Sequence, residues 1–200
     1  MNKPKIKPCD KEFDSKEEEY FSWWLDELQE AGYIYQYKRQ FPTFELSEKV
    51  EKTLIKQLKT KKKEVKRTLF QPCTYTPDFT IEWKLSSVNK FIVNVDWIVH
   101  NCALCYNWEG CDTILNPDRV WTVYVDVKPI FSIRESDKAK FSILQKWVYQ
   151  KYTKYINPVV YQKLFEKTFT PKRFLLTDKT NKPRKIKWDV VTLEEYIERQ

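Results

Sequence analysis

Apolar positions recur along this 200-residue chain with two periods, and the switches between them mark out its elements. Phe21, Trp24, Leu25 and Leu28 fall at helical spacing, Ser15 and Glu18 have the spacing of a capping box ahead of them, and Gly32 is placed to close the helix. Residues 33–41 are dense in aromatics and alternate in character, as a strand does. Val50, Leu54, Ile55 and Leu58 predict an amphipathic helix over residues 47–62 with a basic outer face, leading into an extended run over 65–70. Residues 74–83, 90–99 and 120–127 read as strands; Pro77 is tolerated near the start of the first, and Pro129 ends the third. A long helix is expected from Ser136 or Asp137 to Tyr155, with Phe141, Leu144, Val148 and Tyr152 on one face. Asn157 and Pro158 mark a break before a short helix reaching Phe169, residues 174–176 suit a short strand, and Thr192 with Glu195 opens a last helix. Residues 1–13 read as a loose polar arm, and no repeat or composition shift divides the chain into two domains. The pattern is that of one α/β (α+β) domain.

Composition supports a substantial core, since 42% of residues are hydrophobic and aromatics alone make up 16%. Lysine and arginine total 36 against 28 acidic residues, a net charge of +8, and the excess gathers in residues 56–67 and 172–187. A balance of this kind favours a polyanionic partner, because neutralising phosphates releases condensed counterions. Nucleic acid is the expected partner, against the plainer reading of a solvated lysine-rich surface. No run approaches the roughly 18 apolar residues of a membrane span, and the amino terminus lacks the apolar stretch of a signal peptide, so a soluble cytoplasmic protein is expected. Five cysteines suit reduced thiols better than a disulfide framework. With only two glycines, Gly32 and Gly110, a glycine-rich phosphate cradle is excluded.

Two short segments carry chemistry. Tyr75, Thr76, Pro77, Asp78 and Phe79 form one; Val125, Asp126, Val127 and Lys128 form the other. Both set charged side chains into apolar, extended surroundings. On a strand, Asp126 and Lys128 share a direction while Val125 and Val127 point the opposite way. Two carboxylates and an ammonium are what metal-assisted cleavage of a phosphodiester uses: the acids hold a hard divalent cation and the lysine orients or activates water. The plainer alternatives are a turn role for Asp78 and a buried Asp126–Lys128 ion pair.

Pro77-Asp78 followed by Asp126-Val127-Lys128 resembles the signature of the PD-(D/E)XK nuclease superfamily. Residues 13–18, 31–34 and 40–46, in that order ahead of the two motifs, are similar to small phage and prophage endonucleases of the resolvase-like kind. The resemblance spans roughly residues 13–155 with interruptions, and it implies a restriction-endonuclease-like core: a central mixed β-sheet flanked by helices. It implies a Mg²⁺- or Mn²⁺-dependent DNA endonuclease in which Asp78, Asp126 and the Val127 carbonyl bind metal, Lys128 handles the nucleophilic water, and Glu18 completes the acidic cluster. Glu18 has a rival role as the capping-box glutamate, and Glu17 and Glu19 compete for the family position. The DNA contacts expected are Lys61, Lys62, Lys63, Lys66, Arg67, Lys146, Lys172, Arg173, Arg184 and Lys185.

The core is expected over residues 13–180, with a basic helical insertion at 47–64, a cysteine-containing insertion at 84–119 and an extension at 181–200. His100, Cys102, Cys105 and Cys111 supply four potential zinc ligands, against reduced, partly buried thiols. Holliday junctions are one substrate the resemblance suggests, and cutting a symmetric junction would suit a C2 homodimer. Two other readings compete: a non-catalytic nucleic-acid-binding or assembly protein that retains the fold, and a zinc-bearing interaction module.

Overall fold

A computed structural model describes residues 13–57, 61–84, 87–91, 120–129, 135–177 and 182–200. In chain order the elements are α1 (Lys16–Glu30), β1 (Ile34–Arg39), β2 (Phe44–Ser47), β3 (Val50–Gln57), β4 (Lys62–Phe70), β5 (Cys73–Tyr75), β6 (Phe79–Lys84), α2 (Val88–Phe91), β7 (Val120–Val127), α3 (Glu135–Tyr152), β8 (Ile156–Val159), α4 (Tyr161–Lys167) and α5 (Leu193–Glu198), with a 3-10 turn at Lys172–Leu175. The central sheet has the order β1-β6-β7-β8. Its first three strands pair antiparallel and β8 joins β7 in parallel, so the chain is mixed α+β with a mixed sheet flanked by helices. Two smaller antiparallel pairs, β2–β5 and β3–β4, complete the strands described.

Alternation along β7 divides the interior. Val123, Val125 and Val127 join a large aromatic core built with α1, β6 and α4, whereas Tyr124 joins a smaller cluster with Phe44, Leu46, Tyr75, Val148 and Ile156. In the larger core Trp24, Trp83, Phe21 and Phe79 are wholly buried. Trp24 stacks on Phe169, meets Trp83 edge-on, and donates its indole N–H to Thr168 Oγ1 at 3.2 Å. The helix that carries it begins as its sequence predicts, with Ser15 Oγ accepting the Glu18 N–H. It ends on Gly32 at φ +75°, where the N–H groups of Gly32 and Tyr33 close back on Gln29 and Leu28.

Several expectations are corrected. The helix expected over 47–62 is replaced in its described part by strand: Val50–Gln57 is β3, paired along its length with β4 as an exposed ribbon, and residues 58–60 lie outside the described residues. The single strand expected over 74–83 is two, β5 and β6, which lie in different sheets because the chain turns at Pro77 and Asp78. Lys90 and Phe91 belong to α2, and residues 92–99 lie outside the described residues. At Asn157 and Pro158 the chain forms strand β8, where proline is acceptable because β8 ends the sheet order. Phe174 and Leu175 close a 3-10 turn instead of a strand. The expected extension contributes to the main core over its described residues, where Leu193 is buried and Trp188, Tyr196 and Ile197 pack against it.

Because Trp24 holds the center of this core, Trp24→Ala should cost about 3–5 kcal/mol in chemical denaturation. Ile143→Ala, at a side chain 61% exposed on α3, should change stability by less than about 0.5 kcal/mol.

Candidate functional site

The site lies where the pairing of β6 with β7 ends. Phe79 pairs with Val125, and one residue before it the chain bends at Asp78. A continued antiparallel ladder would offer the Val127 N–H a backbone carbonyl. Asp78 Oδ2 takes that place instead, accepting the Val127 N–H at 2.7 Å, while the Asp78 carbonyl accepts the Gln40 N–H at 2.9 Å. Asp78 is therefore fixed from both its side chain and its backbone.

Asp126, the penultimate residue of β7, has the parity of Tyr124 and so faces the smaller cluster. Its Oδ1 accepts from Lys128 Nζ at 2.7 Å and its Oδ2 accepts from the Tyr75 hydroxyl at 2.7 Å. Lys128 is steadied from the other side by Phe141 of α3, whose ring centroid lies 4.4 Å from Nζ. Burial and the adjacent Asp126 charge push the Tyr75 hydroxyl far up, so it stays a neutral donor. Burial chiefly, then the Asp126 charge and a hydrogen bond between the two carboxyl groups, raise Asp78 to about 8; the Val127 N–H opposes this and Glu18 adds to it. At neutral pH, with no cation bound, Asp78 therefore keeps its proton.

Glu18 approaches from α1. Among the three consecutive glutamates it alone is buried, which distinguishes it from Glu17 and Glu19. Its Oε1 accepts from the Ser15 hydroxyl at 2.9 Å, and Oε2 stands 3.9 Å from the Arg39 guanidinium. Burial raises its carboxyl, against the lowering effect of the Ser15 bond. Its capping-turn contact with Ser15 is made, and it acts on Asp78 through its field. Among the described residues no group of three or more His, Cys, Asp and Glu side chains is arranged to hold a metal ion, so Asp78 and Asp126 form a pair to which Glu18 is a neighbor.

The remaining expected residues are dispersed. Lys61, Lys62, Lys63, Lys66 and Arg67 are exposed at and along β4, and Lys146 is exposed on α3. Gln145, near it, donates to the Ile156 carbonyl at 2.6 Å and braces β8. Lys172 is tied to Glu194 at 2.6 Å and Arg173 lies over the Trp23 ring at 4.6 Å. Lys185 is exposed. Arg184 is half-buried and engaged in packing: its guanidinium lies 4.9 Å from the Tyr20 ring centroid and 4.5 Å from that of Phe174, and it donates to the carbonyls of Phe174 and Leu176. His100, Cys102, Cys105 and Cys111 lie outside the described residues. No described helix is long and apolar enough to cross a membrane.

Compared with protein-family models, curated proteins and solved structures, the chain matches none. Its chemistry must be judged from its own donors.

Two residues of the site escaped the sequence reading. Tyr75 stands within the first motif, but an aromatic two residues before proline gives no sign of a bond to a residue on another strand. Arg39 lies in β1 and reaches Glu18 because β1 packs against α1. As donors, the two carboxylates suit a hard divalent cation, which binds oxygen and tolerates a partly aqueous shell. Their enforced proximity, which costs one of them its charge, is the arrangement such a cation would relieve.

In metal-free protein the raised Asp78 has a definite sign. The folded state keeps its proton where the unfolded chain has lost it, so this contribution is complete below about pH 4 and is lost as pH rises toward about 8. In EDTA, Asp78→Asn should therefore flatten the decline between those limits and stabilise the protein at pH 8 by on the order of 1–2 kcal/mol, read from urea midpoints. A parallel decline in variant and wild type would contradict it.

Proposed function

We propose that this chain is a metal-dependent nuclease that hydrolyses DNA phosphodiester bonds. One observation carries the reading: Asp78 and Asp126 are brought together at a strand end, with Lys128 Nζ 2.7 Å from Asp126. The resemblance of Pro77-Asp78 and Asp126-Val127-Lys128 to the PD-(D/E)XK signature agrees with that grouping, as does the net charge of +8.

Asp78, Asp126 and the Val127 carbonyl would hold Mg²⁺ or Mn²⁺, with Glu18 reaching it through water. When bound, the cation supplies charge stabilisation at the phosphoryl oxygens and lowers the pKa of a bound water. The chain's own residues do the rest. The Val127 N–H aims Asp78, and the Tyr75 hydroxyl fixes the orientation of Asp126. Lys128, partly exposed, seated on Phe141 and paired with Asp126, would present its ammonium beside that carboxylate to a phosphate oxygen or an attacking water. Substrate charge and lysine charge then meet at the mouth of the site.

A second reading, a nucleic-acid-binding protein without turnover, is favored by a specific observation. Both oxygens of Asp126 already have partners, Lys128 and Tyr75, which is how a structural ion pair is satisfied.

Incubation with plasmid, linear and four-way-junction DNA in Mg²⁺ or Mn²⁺ separates the two. The nuclease reading expects strand cleavage that EDTA abolishes. Asp126→Asn should retain binding and lose cleavage by about 100-fold or more, and Lys128→Ala should do likewise. Binding without cleavage by wild type in either metal would establish the second reading, and preference among the three DNA forms reports junction selectivity.

A further inference from the structure

The β3–β4 pair is an exposed two-stranded ribbon: every residue of β3 is exposed, as is every residue of β4 except Thr68. It leaves the β2–β5 pair at the Ser47–Cys73 end, opposite the end at which Tyr75 meets Asp126. Register assigns its two faces. Lys52 lies opposite Arg67, Leu54 opposite Val65 and Lys56 opposite Lys63; these six side chains share one face, and no carboxylate joins them. The other face mixes signs. Glu51 lies opposite Thr68, Thr53 opposite Lys66, Ile55 opposite Glu64 and Gln57 opposite Lys62. On that face Lys49 and Lys66 lower Glu51, as expected where charges answer one another.

The basic face breaks the usual rule of cross-strand pairing. Like charges set directly opposite destabilise an antiparallel pair, and here this happens twice, with Lys52–Arg67 and Lys56–Lys63. Cations kept only for solubility would be interspersed with acids on both faces, yet the ribbon's two acids, Glu51 and Glu64, both lie on the other face. A face of four cations around one apolar pair is instead complementary to a polyanion. The shape narrows the partner. Two strands about 4.8 Å apart make a ribbon that enters the roughly 12 Å major groove of B-form DNA, whereas the deep, narrow A-form groove excludes it.

We propose that the β3–β4 ribbon is a docking arm for duplex DNA, seating the face of Lys52, Lys56, Lys63 and Arg67 against the phosphates that border the major groove. This deepens the nuclease reading by naming duplex as the form of substrate held, and it rests on that reading for the choice of DNA. The contact is to backbone, so it positions the duplex and is indifferent to sequence.

Fluorescence-anisotropy titration of the full chain in EDTA, with a labelled DNA duplex and an RNA duplex of matching sequence, tests the arm apart from cleavage. The variant Lys56→Ala/Lys63→Ala removes one opposed pair; Lys62→Ala/Lys66→Ala removes equal charge from the mixed face, to which the register moves these two residues out of the set of DNA contacts expected from the sequence. The first should weaken DNA binding by about 10-fold and reduce the slope of log affinity against log salt by about 2; the second should stay within about 2-fold of wild type. Equal losses from the two variants would overturn the proposal, as would an unchanged first variant, RNA bound as tightly as DNA, or a wild type that binds neither. A wild type that shows the expected face dependence but never cleaves DNA in Mg²⁺ or Mn²⁺ would sustain the arm and sink the nuclease reading. A wild type that cleaves with an unchanged first variant would do the reverse.

Discussion

Strand β7 is bonded on both edges, by β6 on one side and β8 on the other, and this leaves its side chains two faces and no third choice. The remaining architecture follows from that restriction. Val123, Val125 and Val127 must meet α1, which is why that helix presents Phe21, Trp24, Leu25 and Leu28 along one stripe. Tyr124 and Asp126 must go to the other side, where α3 and β5 cover them. A slip of one residue in β7 would put Asp126 into the aromatic core and bring three valines out of it. Core and candidate site are therefore one register decision.

A buried carboxylate is expensive unless its oxygens are bonded, and two side by side are worse. The chain meets this cost with neutral and cationic donors drawn from distant segments: Tyr75 from β5, Lys128 just beyond β7, and the Val127 N–H from the end of β7 itself. Each is bound into the fold by other contacts. Tyr75 is buried in the smaller cluster, Lys128 leans on Phe141, and the Lys128 N–H donates to Val159 of β8 at 2.7 Å. The acids are thus held by the scaffold, and their separation is not free to relax.

Elements with one strong local signal were legible in the sequence. Val120–Val127 alternates between bulky β-branched or aromatic residues and ends at a proline, and α1 has its cap, its stripe and its glycine stop. The strands of the ribbon differ from the expected helix because Val50, Leu54, Ile55 and Leu58 happen to fit a 3.6-residue period, while the evidence for strands lies in pairing with the segment Lys62–Phe70, which the spacing within 47–62 cannot express. β8 was missed for a similar reason: four residues that include Asn157 and Pro158 make a strand only because β7 offers an edge. At the site, Asp78, Asp126 and Lys128 stood out as charges in apolar surroundings. Tyr75 and Arg39 did not, since each becomes part of the cluster only through packing between elements.

The two unusual features of this molecule share a physical form. At the end of β7 two acids are pressed together until one gives up its charge, and on the β3–β4 ribbon two pairs of cations are set opposite with no acid between them. Neither arrangement is needed to fold the chain. Neutral residues would serve the strand end better, and mixing the ribbon's two faces would remove its repulsion at no cost to the core, which the ribbon does not enter. Lys128 answers only one of the two acids and no acid stands on the basic face of the ribbon, so each arrangement has room for a further counter-charge. A divalent cation would answer the first and a phosphate backbone the second, and in the proposed nuclease those two species are the cofactor and the substrate of one reaction. The ribbon and the acid pair are joined through the β2–β5 pair, which carries Tyr75 at one end and the ribbon at the other. In the nuclease reading that short pair is the mechanical link between holding the polymer and acting on it.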